Sequence, residues 1–551
     1  MKGSKAVIEC LVELGVDTIF GYPGGMNLPL YDALYDETRL RHVLTTHEQN
    51  AAHAADGYAR ATGKVGVCTA TSGPGATNLV TGIATAFMDS IPIVAITGQV
   101  DSGLIGRDAF QEIDILDITI PITKHNFKVK KAQDMVPIIR KAFKIAREGR
   151  PGPVLIDIPR DLMLSDVAYT EAEPEMVTTA IPGPDFLTYV DEAAALISKA
   201  NAPIVIAGGG VISAGASAEL IDWVEKFHLP VANTLMGIGA FPAAHRQSLG
   251  FAGLHGHKTS NNAISNADIV IAVGSRFGDR QTGSLNKYTK GTRFIHIDID
   301  PSEIDKNINS NIGLAGDMKT ILRLLAEHEP TQDLTPWWEQ IRAWQQEFTC
   351  HYDEQTLNAP WIMHYVSQTT AQRDVAFTTD VGQHQMWAAQ HLAIDTPRTW
   401  FTSGGLGTMG YGLPAAMGAQ LAFGKDRRVI HFAGDGGIKM TGNEYYTIAR
   451  LGLPIISIII NNNNLGMIHQ LQKVFYKERY SCCELPKTMD FITYAACFGI
   501  KAESASTSDE FAAAFDCALS STEPRVIIAN VPLDFVDPMI KGDISQFVEF
   551  H

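Results

Sequence analysis

Cysteine, basic clusters and long apolar runs are all scarce in this sequence, and each scarcity removes a class of protein. The seven cysteines (Cys10, Cys68, Cys350, Cys482, Cys483, Cys497 and Cys517) are odd in number and scattered, with no CxxC pair and no disulfide-scaffold density. They fit a reducing cytoplasm, the compartment expected. Basic residues number 44 against 60 acidic, for a formal charge of −16, and no Lys/Arg cluster offsets it locally. Such a charge repels nucleic acid and anionic membranes, so neither is an expected partner. The longest apolar stretches, such as 454–460, are strand-length and fall short of the ~20 residues a membrane span needs. In the opening MKGSKAVIECLVELGVDTIFGYPGG, Glu9 and Glu13 interrupt the apolar run, which reads as an amphipathic helix rather than a signal sequence. Low-complexity tracts are also missing, and 45% hydrophobic with 19% charged residues describes a folded globular chain.

A chain of 551 residues exceeds one hydrophobic core, and the usual ~100–200 residues per domain predicts about three. In residues 1–168, β-rich runs (DTIF, RHVLTT, VGVCTA, IPIVAIT, PVLIDIP) alternate with helical stretches, the first being Ala6 to Leu14 closed by Gly15. Alternation of this kind predicts a parallel sheet covered by helices. A Pro, Glu and Thr-rich linker follows at about 169–186. A second α/β block spans 187–326 (APIVIAG, LPVANT, ADIVIAVG, TRFIHIDI), and PWWEQIRAWQQEF reads as a connecting helix. A third block spans 359–532 (DVAFTTD, RRVIHFAGD, LPIISIIINN, RVIIANV), with a tail at 533–551. The architecture repeats although the sequence does not. The fold class is therefore α/β, with three doubly wound parallel-sheet domains.

Gly434-Asp435-Gly436 closes an apolar strand, and Asn462 closes the next one, 27 residues after Asp435. Neighbouring strand ends lie side by side in a parallel sheet, so Asp435 and Asn462 can offer oxygens to one hard cation, with diphosphate and water completing octahedral Mg²⁺. Gly436 and Gly437 allow close backbone approach, and a following helix N-terminus favours an anion. A lone GDG is usually an ordinary strand-to-helix turn. The spacing to a run of four asparagines (461–464) favours the metal. Ser72-Gly-Pro-Gly-Ala-Thr-Asn78 lacks a P-loop lysine and reads as packing, with no phosphate assigned.

GDG followed at this interval by NN resembles the signature of thiamine-diphosphate enzymes, and the likeness covers nearly the whole chain. It implies a pyrimidine-binding first domain, a flavin-binding central domain and a diphosphate-binding third domain. By it Asp435, Asn462 and the carbonyl of Asn464 hold Mg²⁺; Gln383 and His384 touch the diphosphate; Gly407 accepts from the pyrimidine amino group; and Met409 wedges the cofactor bent. For Met409 the bland alternative is a core methionine. Glu48, in HEQNAAHAADGYARATG, matches the glutamate whose carboxyl bonds the pyrimidine ring nitrogen and drives its change of tautomer, where an isolated glutamate would be a helix-end charge. In the family that glutamate comes from another subunit, which implies a homodimer or homotetramer with shared sites.

FGYPGG, HEQNAAHAADGYARATGKVGV, SGPGATNL, AITGQV, DAFQEIDI, KHNF, GRPGPVLIDIP, TDVGQHQMWAAQH and GLGTMGYGLPAAMGAQ narrow the resemblance to acetolactate synthase catalytic subunits. That implies decarboxylation of pyruvate and transfer of its two-carbon unit to a second 2-oxo acid, in branched-chain amino acid biosynthesis. A structural FAD is implied on Arg150, Gly208, Gly209, Gly210, His255, Gly274, Arg276, Asp298 and Asp317. A guanidinium at Arg276 also suits the acceptor's carboxylate, and Phe110 and Gln111 match residues lining the reacting centre. The substrate pocket is expected at Met26, Leu254, Met467 and Leu471.

Some positions depart from the family. Met26 stands for a usual alanine, Leu471 for a tryptophan that favours the larger acceptor 2-oxobutanoate, Arg160 for a lysine and Gly278 for an aspartate, and DPMIKGDISQFVEFH replaces a proline-glycine ending. These leave open a paralogue with a different acceptor. A flavin-dependent pyruvate oxidase is the other enzyme class, against which DAFQE and RFGDR argue. A non-enzymatic cofactor-binding module would require loss of Glu48 or of the metal pair.

Overall fold

The computed structural model describes residues 1–172, 183, 185–534 and 536. Most of the expected linker and tail, including the departure at the C-terminal end, lies outside those residues. Three six-stranded sheets follow one another along the chain, and every strand pair in them is parallel. The first holds β1 (Thr18–Gly21), β2 (Arg41–Leu44), β3 (Gly66–Ala70), β4 (Ile93–Gln99), β5 (His125–Lys128) and β6 (Val154–Pro159) in the order 2-1-3-4-6-5. The second holds β7 (Pro203–Ala207), β8 (Val231–Asn233), β9 (Ser248–Phe251), β10 (Ile269–Val273), β11 (Arg293–Asp298) and β12 (Ile312–Ala315), ordered 9-8-7-10-11-12. The third holds β13 (Val375–Thr379), β14 (Trp400–Phe401), β15 (Arg428–Gly434), β16 (Ile456–Asn461), β17 (Lys501–Ala505) and β18 (Arg525–Asn530), ordered 14-13-15-16-18-17.

The first and third sheets thus share one topology, and the second has the order of dinucleotide-binding folds. In each, the chain winds one way from its first strand and then returns to wind the other. Ligands bind in the crevice at the carboxyl ends where that reversal occurs. The crevices fall between β1 and β3, between β7 and β10, and between β13 and β15.

Central strands such as β4, β7 and β10 are buried along their whole length, as apolar runs between two helical layers must be. The five strands without a clear sequence signal (β5, β9, β12, β14 and β17) are all sheet edges. Edge strands are covered on fewer sides, so KAESA and HNFK carry little apolar patterning. The opening helix forms as Gly3–Glu13 with Gly15 left-handed behind it, and the Trp-rich connector as Thr335–Glu347.

The first and third blocks meet through two helices, Glu48–Thr62 and Gly412–Phe423, whose facing sides are alanine and glycine. A Cβ on Gly57 would lie 2.2 Å from the Ala415 carbonyl oxygen, and one on Gly418 1.9 Å from that of Ala54. Backbones this close admit only glycine. Buried Arg60 ties the seam, with Nε donating to Asp56 at 2.6 Å and Nη2 to Asp89 at 2.9 Å. Asp89 also accepts from the backbone N–H groups of Gly404 (3.2 Å) and Gly405 (2.7 Å), so a first-block carboxylate holds the loop that carries Gly407 and Met409.

Candidate active site

The crevice between β13 and β15 gathers the residues expected around metal and diphosphate. Asp435 follows β15 and is buried; its Oδ2 has no hydrogen-bond partner among the described residues. Burial pushes its carboxyl up to about 6, because an ionised oxygen there loses its water. Past the end of β16, the Asn462 side-chain oxygen accepts from the Asn464 N–H at 3.0 Å, folding the loop back on itself, and Asn464 Oδ1 is another buried acceptor without a partner. Uncommitted acceptors beside a carboxylate are the donor set a hard cation takes. A diphosphate needs the opposite. His384 is buried with Nε2 uncommitted, and burial pulls its pKa down to about 4, leaving a neutral ring able to donate one N–H. Its ring lies against Gly434 and Gly382, where Cβ atoms would stand 3.1 and 3.0 Å away.

Gln383 opens the helix Gln383–His391, but its side chain turns away from a donor role at the crevice. Nε2 donates to Gln470 at 2.9 Å and to the Asp534 carbonyl at 2.8 Å, so its backbone N–H is what remains for a diphosphate. Gly407 is left-handed (φ +69°), and Met409 is half-buried with its methyl 3.6 Å from where a Cβ on Gly436 would stand. A Cβ on Gly437 would lie 2.0 Å from Asp380 Oδ2.

Asp380 is the residue that sequence reasoning missed here. It is buried, and it accepts from the N–H groups of Val381 (2.8 Å) and Gly410 (2.7 Å). It therefore joins the loop after β13, the Met409 loop and the GDGG turn. Burial raises its carboxyl to about 7. The only signal available was an acid closing a strand in TTD.

At the carboxyl end of the first sheet, Glu48 opens the helix Glu48–Thr62 and is half-buried. Asn78 Nδ2 donates to its Oε2 at 2.9 Å, and Gly75 sits beside its Oε1. The SGPGATN turn therefore packs on Glu48. Gln111 holds a left-handed φ of +61° and lies against Gly73, while neighbouring Phe110 is 84% exposed. The Met26 N–H donates to Thr71 Oγ1 at 3.1 Å.

In the second sheet the crevice lies between β7 and β10. There the glycines fit one another: a Cβ on Gly208 would stand 2.0 Å from the Gly274 carbonyl oxygen, and one on Gly210 2.7 Å from Gly274 Cα. Gly274 is itself left-handed (φ +60°). Gly209 faces Met236. Arg276 is half-buried, with no hydrogen bond or ion pair to its guanidinium among the described residues; burial and nearby Arg150 lower its pKa. Arg150 donates to Ser90 Oγ at 2.7 Å and pairs with Glu303. His255 Nδ1 is buried and uncommitted, and burial lowers its pKa to about 4. Buried Asp298 accepts from the Asp300 N–H at 2.9 Å, and Asp317 caps the helix Met318–Glu327 through Thr320. Buried Leu254 donates its N–H to the Arg280 carbonyl at 2.8 Å, and Met467 and Leu471 lie one turn apart, half-buried, on the helix Gly466–Phe475.

Comparison with known proteins follows the same three units. Models of the thiamine pyrophosphate enzymes match in chain order: the N-terminal TPP binding domain over residues 1–118, the central domain over 190–325 and the C-terminal TPP binding domain over 380–529. The Escherichia coli acetolactate synthase isozyme 2 large subunit is 43% identical over 549 residues, covering 99% of this chain and 98% of that protein.

The chain belongs to the acetolactate synthase large-subunit family.

Other relatives agree. The acetolactate synthase large subunit of Parasynechococcus marenigrum is 46% identical over 96% of this chain and 88% of its own length, and an acetolactate synthase of Mycobacterium bovis 46% over 91% and 84%. This family member is a thiamine pyrophosphate-dependent enzyme with three parallel-sheet α/β domains.

Proposed function

We propose that this chain condenses pyruvate with a second 2-oxo acid, forming 2-acetolactate when both are pyruvate. The observation that carries the reading is the crevice between β13 and β15, where Asp435 and Asn464 present buried acceptors without partners and His384 an uncommitted ring nitrogen. Asp435, Asn462 and the Asn464 carbonyl would hold Mg²⁺, and His384 with the N–H groups at the Gln383 helix start would take the diphosphate. When bound, thiamine diphosphate supplies the carbon nucleophile that attacks pyruvate's carbonyl and carries its two-carbon unit. Glu48 holds and moves the proton at the pyrimidine ring nitrogen. Gly407 would accept from the pyrimidine amino group, Met409 would pack against the bound cofactor, and Phe110 and Gln111 would exclude water over the reacting carbon. Arg276 would take the acceptor's carboxylate, since its guanidinium has no partner among the described residues.

The same reading divides the chain into a pyrimidine domain (1–168), a central domain (187–326) and a diphosphate domain (359–532) ahead of the tail. Flavin adenine dinucleotide suits the central crevice, whose strand order is that of dinucleotide folds and whose donors include His255 and the unpaired Arg276. Arg150, Asp298 and Asp317 flank it. Among the described residues Glu48 bonds only within its own block, to Asn78, which supports a site completed by a second copy in a homodimer or homotetramer. Relatives named as large subunits support a regulatory small subunit as partner. Seven free thiols support a cytoplasmic setting. Among the described residues no helix is long and apolar enough to cross a membrane.

The test is product identification from purified protein with pyruvate alone and with 2-oxobutanoate. 2-Acetolactate with an unbleached flavin is the expected result. Stoichiometric bleaching by pyruvate without a C–C-coupled product would make the protein an oxidase.

A further inference from the structure

Glu444 lies between the GDGG turn and the helix Tyr445–Leu451, and it is fully buried. Its Oε1 collects three donors: the Thr46 backbone N–H at 2.7 Å, the Thr46 hydroxyl at 2.6 Å and Asn50 Nδ2 at 2.9 Å. Its Oε2 has no partner, and no Lys, Arg or His pairs with it among the described residues. An unpaired buried carboxylate is costly unless its donors and a helix N-terminus compensate. Here they come from the opening of one helix. Thr46 and Asn50 bracket Glu48, and the helix they open runs fifteen residues, Glu48–Thr62. The same third-block helix grips the preceding strand end, since Arg450 Nη2 donates to the Leu44 carbonyl at 2.8 Å.

The first turn of a helix leaves N–H groups without partners, and a cap can hold only some of them. The His47 ring accepts from the Gln49 N–H at 3.1 Å. The Thr46 N–H, just outside the helix, is met among the described residues only by Glu444. Glu48 has one side-chain hydrogen bond of its own, from Asn78, so its direction depends on where this turn is held.

We propose that Glu444 is a positioning residue: its carboxylate, carried by the diphosphate block, anchors residues 46–50 of the pyrimidine block and thereby aims Glu48. This rests on reading Glu48 as the group that moves the cofactor's proton.

The test uses full-length Glu444→Ala, Glu444→Gln and Thr46→Val. In cofactor-free protein, amide hydrogen exchange across 44–51 should speed up about tenfold or more in Glu444→Ala, and less in Glu444→Gln, which keeps an acceptor oxygen. In the loaded enzyme, kcat should fall about 100-fold in Glu444→Ala, with KM for pyruvate and Kd for thiamine diphosphate within about threefold, and glutamine should restore most of the loss. Unchanged exchange in Glu444→Ala overturns the proposal, as does loss of cofactor affinity in step with kcat. If the alanine variant does not fold, Thr46→Val decides on the same readouts: faster exchange with lowered kcat supports the anchor, and wild-type values for both overturn it. Glu48→Gln separates the two ideas. Full turnover there removes the role of Glu48, while the exchange result still reports on the anchor.

Discussion

At the carboxyl end of the third sheet nearly every site residue is fixed within one chain, whereas at that of the first the reacting groups stand half open. Asp435 and His384 are buried and ringed by glycines whose Cβ atoms would collide with neighbours. Phe110, at the other end of the chemistry, is 84% exposed, and Gln111 beside it holds a left-handed backbone. The sheets share one strand order, so topology does not cause the difference. On the proposed reading, what differs is the task. A metal and a diphosphate need a rigid, desolvated cradle, while groups that act on a cofactor held elsewhere need a surface open to it. The two ends remain joined inside the chain by reciprocal contacts, Asp89 reaching the Met409 loop and Glu444 reaching the Glu48 helix.

That comparison breaks most visibly at Glu48. Glu48→Gln should keep the fold and the cofactor affinity yet lower carboligation by roughly 100-fold to 10,000-fold, the range of general acid–base contributions; steady-state rates beside a melting curve check it, and near-normal turnover would remove the role. On the cradle side, Asp435→Ala or Asn462→Ala should instead raise the Mg²⁺ and thiamine diphosphate requirement by at least about 10-fold to 100-fold. Titration calorimetry showing unchanged affinities would mean that the cation sits elsewhere.

A pH series sharpens the burial argument. The Asp380 carboxyl titrates near 7 when folded against 3.8 for the free group. Between those values the folded state therefore binds the extra proton, and stability drains away as pH rises from about 4 to about 7. Asp380→Asn removes this term. Its melting temperature relative to wild type, in cofactor-free protein, should climb by a few degrees across that window, and a flat difference would contradict the assigned burial.

The smallest effect concerns the pocket. Leu471 offers less surface than the family's tryptophan, so pyruvate should compete nearly evenly with 2-oxobutanoate. Leu471→Trp should move the acetohydroxybutyrate to acetolactate ratio by the ~1–3 kcal/mol such contacts supply. If the wild type already favours 2-oxobutanoate, or the ratio does not move, Met26 or another residue governs the choice.

Alternation of apolar runs with helical stretches was enough to read three parallel sheets, and the interval from Asp435 to Asn462 was enough to point to the carboxyl ends of β15 and β16, the region proposed to hold metal and diphosphate. The edge strands were not legible, because half-covered strands such as Lys501–Ala505 need no apolar pattern. Nor were Asp380, Asp89 and Glu444. For Asp89 and Glu444 the partners lie far along the chain, 398 residues apart for Thr46 and Glu444 and 316 for Asp89 and Gly405, and a single sequence records no such pairing. The glycines of AGGG were read toward a nucleotide, yet two of them meet Gly274 first. Local chemistry shows in a sequence, whereas contacts closed by folding do not.

The proposed site takes its two halves from different copies of the chain. Co-expression of Glu48→Gln with Asp435→Ala, assayed at a cofactor level too low to load Asp435→Ala, tests it directly. Random pairing in a dimer should regenerate one intact site in each hybrid, recovering about a quarter of wild-type sites. Activity no greater than the sum of the separate variants would show that each chain builds its site alone.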